Sequence, residues 1–194
     1  AQYNVAGIEI DNSYYADVYD NLASHNTAGI LVFDLPDLPQ QGGHHVRVFR
    51  NKSIDNDTDN FAPEGNIVGE VPRGTGIIIQ ANSDIEVFDN DIGGNGTVNL
   101  AIVTYGYDTE DENYYPHPRS VQVYDNRFGN SGFDPDLETG ELAAILFELS
   151  GGEMPDIFWD GILPMSQIIF GQPDNEKIIL GDNGNASFLT ISPI

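Results

Sequence analysis

The sequence predicts an all-β parallel β-helix, a solenoid of short strands around one core, on three observations. Glycine, proline, asparagine and aspartate are spread along all 194 residues and interrupt any helical periodicity. The apolar residues fall instead in short alternating runs, which is typical of strands. A Val-aromatic-x-Asn signature occurs four times at spacings of 30 to 39 residues, and recurrence on this scale indicates a repeat architecture.

Each repeat contains three predicted strands. The signature closes the first strand, a second asparagine marks a bend after the next, and an apolar run forms the third. The signatures are Val18–Asn21, Val48–Asn51, Val87–Asn90 and Val123–Asn126; the second asparagines are Asn26, Asn56, Asn95 and Asn130; and the apolar runs are Gly29–Val32, Gly76–Ile79, Asn99–Ile102 and Ala144–Phe147. Asparagine suits the bends because it tolerates left-handed backbone and can hydrogen-bond to its counterpart one turn away. The pattern predicts a coil with three strands per turn and about five turns.

The chain is predicted to form a single domain over residues 1–194. The repeats occupy about residues 6–149, and residues 150–194 form a degenerate final turn and a cap, in which Ile178–Asn183 is an altered copy of the repeat. Gly7–Ile10 corresponds to the third strand of an earlier turn, so we expect the chain to be part of a longer protein. Loops at 57–74, 106–119 and 130–141 leave the coil, and such insertions usually carry function.

The charge balance restricts the function classes. Against 31 Asp and Glu there are 7 Lys and Arg, giving a formal net charge of -24, which makes binding to nucleic acid or to an anionic membrane repulsive. No window has the roughly 18 apolar residues of a membrane-spanning helix. The chain contains no cysteine, which removes disulfides, thiol nucleophiles and cysteine metal ligands together.

The combination of Gly-Ile-x-Val, Val-x-x-Asn and a further Asn about five residues on, over roughly residues 6–147, resembles the right-handed parallel β-helix repeat family. That family includes pectate-lyase-like and periplasmic copper-maturation β-helix proteins. The resemblance implies a right-handed coil and an exported protein, extracellular or periplasmic. It does not specify an activity, because the matching residues are structural and the fold serves many functions.

Aligning the first strands places an aromatic residue at the same outward position in each turn: Tyr19, Phe49, Phe88 and Tyr124. One interpretation is a binding strip for a polysaccharide or a partner protein, since exposed aromatic patches tend to mark interaction sites. The alternative is that the long loops fold over the strip and bury it.

Two further outward columns combine acids with an arginine of the second turn. One column contains Asp17, Arg47, Glu86 and Gln122, and the other contains Asp20, Arg50, Asp89 and Asp125. We expect acid–Arg–acid ladders that relieve the repulsion between stacked like charges. These ladders leave few cations to neutralise an acidic substrate.

The best metal candidate is a loop with carboxylates at alternate positions, Asp55, Asp57 and Asp59, which is the spacing by which hard cations such as Ca²⁺ are collected. It resembles the start of an EF-hand loop, but Asn60 stands where glycine is expected and Asn66 where the bidentate glutamate belongs. Segments 108–112 and 134–138 are looser acidic candidates. A bound divalent cation would reduce the self-repulsion of so acidic a chain.

For catalysis, the alignment sets His45 one rung from Asp84, with Arg47 close by. A histidine–carboxylate pair beside an arginine could supply a base and a charge stabiliser for β-elimination or epimerisation of an acidic sugar. In so acidic a chain, any histidine also falls near an acid by chance. No nucleophile elbow, phosphate loop, dinucleotide fingerprint or zincin motif is present.

These observations leave three functional hypotheses open. The first is a non-enzymatic, calcium-stabilised binding or scaffold module that contacts a polysaccharide or a partner protein. The second is a polysaccharide lyase or epimerase that acts on an acidic sugar through His45, Arg47 and Asp84. The third is a structural subunit of a larger extracellular assembly, joined through the ends of the coil.

Overall fold

The computed structural model describes residues 1–63, 65–139 and 142–191, and most of its regular structure is parallel β-sheet. Strands are numbered in chain order. The six-stranded sheet has the spatial order β1 (Ala6–Asp11), β4 (Ala28–Phe33), β7 (Thr75–Gln80), β10 (Val98–Val103), β13 (Ile157–Trp159) and β15 (Phe188–Thr190). The five-stranded sheet has the order β2 (Asp17–Tyr19), β5 (His44–Phe49), β8 (Ser83–Phe88), β11 (Arg119–Tyr124) and β14 (Ile178–Leu180). The four-stranded sheet has the order β3 (Leu22–Ser24), β6 (Lys52–Ile54), β9 (Asp91–Gly93) and β12 (Arg127–Phe128).

The strand order confirms a solenoid-like all-β fold. The chain visits the three sheets in turn, and each strand pairs in parallel with its counterpart one repeat away, as in Val48 opposite Val87 and Ile30 opposite Ile77. Two short helices, α1 (Leu142–Leu149) and α2 (Met165–Phe170), and two 3₁₀ segments, Ile67–Glu70 and Asp174–Glu176, lie outside the sheets. No helix in the described ranges is long and apolar enough to cross a membrane.

Asparagines line two corners of the coil as hydrogen-bonded ladders. In the longer ladder, the Nδ2 of each residue donates to the Oδ1 of the next at 2.9–3.1 Å, through Asn21, Asn51, Asn90, Asn126 and Asn183. The residues just before them, Asp20, Arg50, Asp89 and Asp125, have φ between 53° and 56°. The left-handed backbone expected at these bends is therefore present, and Asn183 confirms that Ile178–Asn183 is a last, altered turn.

The shorter ladder differs from the prediction at its end. Asn26 donates to Asn56 and Asn56 donates to Asn95, as expected. Asn95 then donates to Asn99, and the exposed Asn130 contributes only its backbone carbonyl, which accepts from Gly94.

The fourth apolar run is helical, contrary to the prediction of a strand. Residues 144–147 lie within α1, and β13 takes the place of that strand by pairing with β10. The helical segment is rich in alanine and leucine, which favour helix, and lacks the glycine or asparagine that opens the other three runs. Leu146 is fully buried in an apolar cluster on the outside of the six-stranded sheet.

The apolar side chains form two cores. The first fills the coil and contains the inward valines and isoleucines of the three sheets, such as Ile30, Val48 and Ile77. The second lies on the outer face of the six-stranded sheet, where Leu31, Ile78 and Phe158 are covered by the excursions between strands. The loop that contains Ile67–Glu70 and helix α1 supply this cover, so one outer face of the coil is apolar and partly covered.

Candidate functional site

The aromatic column forms one continuous stack. The ring centroids of Tyr19, Phe49, Phe88 and Tyr124 follow each other at 5.2, 5.0 and 5.1 Å, with interplanar angles of 12°, 3° and 2°. Long loops do not bury the stack, because Tyr19 is 49% exposed and the other three rings are half-buried. Both faces of Phe49 and Phe88 lie against neighbouring rings, so only their edges are free.

The stack ends at Tyr124, because the next position of the column is occupied by a glycine. Gly181 follows Leu180, the partner of Val123, and a Cβ at this glycine would lie 2.8 Å from the Cβ of Tyr124. The Tyr124 hydroxyl donates to Glu86 at 2.7 Å, and burial together with this carboxylate raises the pKa of Tyr124 to about 12. The stack is thus integrated into the coil by packing and hydrogen bonds.

Each of the two predicted acid–Arg–acid ladders forms only in part, because each arginine hydrogen-bonds to the carboxylate of the first turn and not to that of the third. Arg47 makes two hydrogen bonds to Asp17 at 2.8 and 2.7 Å, and Arg50 makes two to Asp20 at 2.8 Å. These contacts lower the pKa of both carboxyls. Both guanidinium groups also lie near the Phe49 ring, at 5.6 and 4.8 Å from its centroid.

The proposed catalytic group is not assembled as a hydrogen-bonded unit. The His45 Nδ1 and the Asp84 Oδ2 are 3.9 Å apart, which is too long for a hydrogen bond, and both side chains are about half exposed. Arg47 is held by Asp17. His45 instead packs at 4.8 Å from the ring of Tyr15. The three residues lie close together on an open surface.

The carboxylates proposed as a metal site diverge. Asp57 pairs with His25 at 3.0 Å, Asp59 is 98% exposed and 3.4 Å from Arg73, and Asp55 lies against Gly94. Within the described ranges, no group of three or more His, Asp and Glu side chains is placed to hold a metal ion.

Arg73 is the cation that joins two of the acidic loops. Its Nη1 donates to Asp134 at 2.8 Å, and its backbone N–H donates to Asp136 at 3.0 Å. Asp59 approaches from the other loop. Two carboxylates, one from each loop, therefore contact the guanidinium, and hydrogen bonding to Asp134 raises the pKa of Arg73.

An apolar groove of about 560 Å³ lies on the outer face of the six-stranded sheet. Its floor contains Phe33, Ile78, Val103 and Phe158, contributed by four successive strands. Its sides come from the excursions, including Val71 and Pro72 from one loop, and Tyr107, Ile145 and Ile162 from later segments. The repeat pattern of the sequence does not predict this groove, because its sides belong to segments that do not repeat.

Four polar side chains line the groove, namely Glu70, Gln80, Thr104 and Asp160. Gln80 Oε1 is buried and has no hydrogen-bond partner within the described structure. Asp160 is 7% exposed and accepts from the backbone N–H groups of Thr104 at 2.6 Å and Ile162 at 3.1 Å. Burial nevertheless raises the pKa of Asp160.

A histidine lies behind this carboxylate. His117 Nδ1 is 3.4 Å from the Thr104 hydroxyl, and burial lowers the pKa of His117. His117 does not line the groove. We therefore regard the His117–Thr104–Asp160 chain as a support for the groove wall.

The basic residues are committed elsewhere. Five of the seven form ion pairs with aspartates: Arg47, Arg50, Arg73, Arg127 and Lys177. Arg119 lies 4.4 Å over the ring of Tyr115, and Lys52 is opposite Asp91 in the neighbouring strand. None of them lines the groove, so it presents acceptors and carboxylates on an apolar surface.

One sequence signal does point to this face. The burial pattern of β4 and β10 is continuous, so both faces of these strands are covered, and their sequences Ala-Gly-Ile-Leu-Val-Phe and Val-Asn-Leu-Ala-Ile-Val are almost uninterrupted apolar runs. Strands buried on both faces typically show such runs, whereas a strand with one solvated face alternates. The runs thus indicate that something covers the outside of this sheet.

No protein-family model, curated protein or solved structure matches the chain.

Proposed function

We propose that the protein is a non-enzymatic binding module that holds an apolar chain segment of a partner protein in the groove of the six-stranded sheet. The observation that carries this proposal is the groove itself, an apolar surface along the coil with few polar groups. Its volume of about 560 Å³ is within the usual range for ligand sites.

A modest affinity is expected from the size of the groove. Burying about 300 Å² of apolar ligand surface gives roughly 7.5 kcal/mol at 25 cal/mol per Å². Association and ordering costs consume much of this. We therefore expect a short peptide to bind with a Kd in the range of about 10 μM to 1 mM.

A polysaccharide is the less favoured ligand, because a neutral sugar needs many hydrogen-bonding groups or open aromatic faces. The stacked column offers mainly ring edges, because its two inner rings are stacked on both faces and the Arg50 guanidinium lies 5.5 Å from the centroid of the Tyr19 ring. The groove offers only a few polar side chains on a mainly apolar lining.

An enzyme that acts on an acidic sugar is disfavoured by the charges. Such a substrate needs a cation near the reacting carboxylate, and the basic residues are held in pairs with aspartates or lie away from the groove. His45 and Asp84 lack a mutual hydrogen bond.

Fluorescence anisotropy with a labelled peptide tests the proposal. The probe is acetylated, amidated Gln-Leu-Phe-Leu-Gln with an uncharged fluorophore. Ile162, which lines the groove and is 50% exposed, is changed to Lys, and Ile179, which is 49% exposed on β14 of the five-stranded sheet, is changed to Lys as the matched control.

We expect Ile162→Lys to weaken the peptide at least fivefold, because it places a charge in an apolar site. Ile179→Lys should leave the Kd unchanged. Cellohexaose and oligogalacturonate serve as competitors for the polysaccharide alternative. Failure of the peptide to bind, or equal loss in both variants, rejects the groove as the site.

Three finer assignments accompany this proposal. We propose that the coil is right-handed, since parallel strands in one sheet are joined by right-handed crossovers in nearly all proteins. The family resemblance, and the exported location that it implies, stay proposals on the repeat signature. We also propose that calcium stabilises the folded protein, because a bound cation would reduce the repulsion within a chain of net charge -24.

A further inference from the structure

One column of outward residues runs across the outer face of the six-stranded sheet; Phe33, Gln80, Val103 and Asp160 of this column line the groove, and Asp11 lies beyond the lining. The strand register aligns Asp11 with Phe33, Phe33 with Gln80, and Gln80 with Val103. Asp160 continues the column, since it follows Trp159, the partner of Ile102, and its N–H donates to the Ile102 carbonyl. Acids therefore stand at both ends of this column, with apolar residues and an amide between them.

The described lining of the groove contains one further acid, the exposed Glu70, and no basic residue. Beyond the lining, Glu9 lies two residues before Asp11 on the same face of β1. Burial, the charge of Asp11 and a hydrogen bond with Asp11 raise the pKa of Glu9 to about 7. The buried Gln80 Oε1 is an acceptor without a donor.

Elsewhere the coil pairs such acids internally. Asp17 meets Arg47, Asp20 meets Arg50 and Asp91 meets Arg127, each across neighbouring turns. Glu9 and Asp11 are opposite Leu31 and Phe33 in the adjacent strand, so that strand supplies no cation for them. These acids flank an apolar floor instead of completing a ladder.

We propose that the segment bound in the groove carries basic side chains on both sides of an apolar centre. This inference rests on the proposed function and specifies the chemistry of the partner. The apolar centre lies on Phe33, Ile78 and Val103, and the basic groups meet the carboxylates near the two ends and at Glu70.

The dimensions agree with a short extended segment. Asp11 and Asp160 are four strand spacings apart, or about 19 Å. The first and fifth residues of an extended peptide are about 13 Å apart. Lysine side chains at these two positions cover the remaining distance.

The test compares three peptides that differ only at their ends: Lys-Leu-Phe-Leu-Lys, Gln-Leu-Phe-Leu-Gln and Glu-Leu-Phe-Leu-Glu, all acetylated and amidated. Their Kd values are measured by anisotropy at one ionic strength. We expect the Lys peptide to bind about fivefold more tightly than the Gln peptide, since two partly exposed ion pairs contribute modestly. The Glu peptide should bind more weakly than both.

Variants separate the groove from the general acidity of the chain. Asp11→Asn combined with Glu70→Gln should bring the Lys/Gln affinity ratio, measured on that variant, to within about twofold of unity. A matched double variant, Asp89→Asn with Asp125→Asn, removes two exposed carboxylates from a corner of the five-stranded sheet, where asparagine tolerates the left-handed backbone. This control should preserve the ratio.

The outcomes distinguish the two proposals. If all three peptides bind equally, or if the control variant lowers the ratio as much as the groove variant does, the inference about basic flanks is wrong and the groove proposal stands. If no peptide binds, the groove proposal itself fails.

Discussion

Asn90 lies at the centre of the longer asparagine ladder, and its removal tests how much the ladder stabilises the coil. Its Oδ1 accepts from the backbone N–H and from the Nδ2 of Asn51, at 2.9 and 3.1 Å. Its Nδ2 donates to the Val48 carbonyl, the Phe88 carbonyl and Asn126 Oδ1. The residue is fully buried, so no water replaces these partners.

The expected cost of Asn90→Ala follows from these contacts. A buried backbone N–H left without a partner costs about 1–3 kcal/mol, and the other lost hydrogen bonds contribute about 1 kcal/mol each before any relaxation. We expect the free energy of unfolding to fall by about 3–5 kcal/mol, a large part of the 5–15 kcal/mol typical of a domain.

Asn21→Ala is the matched control, because Asn21 begins the same ladder at its more exposed end. Its side chain donates to Asn51 and to the Tyr19 carbonyl but accepts no hydrogen bond from another ladder asparagine. We expect a loss of about 1 kcal/mol. Urea unfolding at pH 7, followed by circular dichroism, measures both variants, and equal slopes validate the comparison. Equal losses, or a loss below about 1 kcal/mol for Asn90→Ala, refute the reasoning.

Three further predictions concern stability. Phe88→Leu removes two ring stacks, worth about 0.5–1.5 kcal/mol each, and should lower the urea midpoint without changing peptide binding; an unchanged midpoint contradicts the stack. Arg73→Gln leaves the carboxylates of Asp59 and Asp134 without their guanidinium, so calcium should raise the melting temperature of the variant more than that of the wild type; equal shifts contradict this. Because the pKa of Glu9 in the folded protein is raised to about 7, the Glu9 carboxyl makes the wild type less stable as the pH rises from 4.5 to 7. We expect the urea midpoint of Glu9→Gln to change less than that of the wild type over this pH range.

The repeat can be predicted from the sequence because each turn is specified by residues within that turn. Each turn encodes its own bend in an asparagine and its own inward face in alternating valines, and identical positions then stack on one another. The aromatic stack and the two Asp–Arg pairs were predicted from the same alignment. Register between parallel strands is strongly specified when one face is buried, which explains why one-dimensional alignment sufficed.

The segments that leave the coil are less predictable, since their conformation depends on what they cover. Residues 144–147 form an apolar run that periodicity alone cannot assign to strand or helix. Their helical form places Leu146 on the outer apolar cluster. Likewise, the alternating acids of 55–59 have a metal-like spacing, but His25 and Arg73 draw two of them apart. In both segments the observed conformation goes with contacts to parts of the chain that the local pattern does not encode.

Columns of identical residues along the coil differ from columns whose residues change at each turn, and this difference bears on where a ligand binds. In a column of asparagines or aromatic rings, each residue contacts the equivalent residue of the neighbouring turn, so its hydrogen bonds or ring contacts are made within the coil. The column from Asp11 to Asp160 is not completed by copies of one residue, because its chemistry changes at every turn and the Gln80 Oε1 has no hydrogen-bond partner within the described structure. None of the described cations pairs with its acids, so a bound segment with basic side chains would complement them. The groove is for this reason a better candidate for recognition than the aromatic stack, whose two inner rings are covered on both faces.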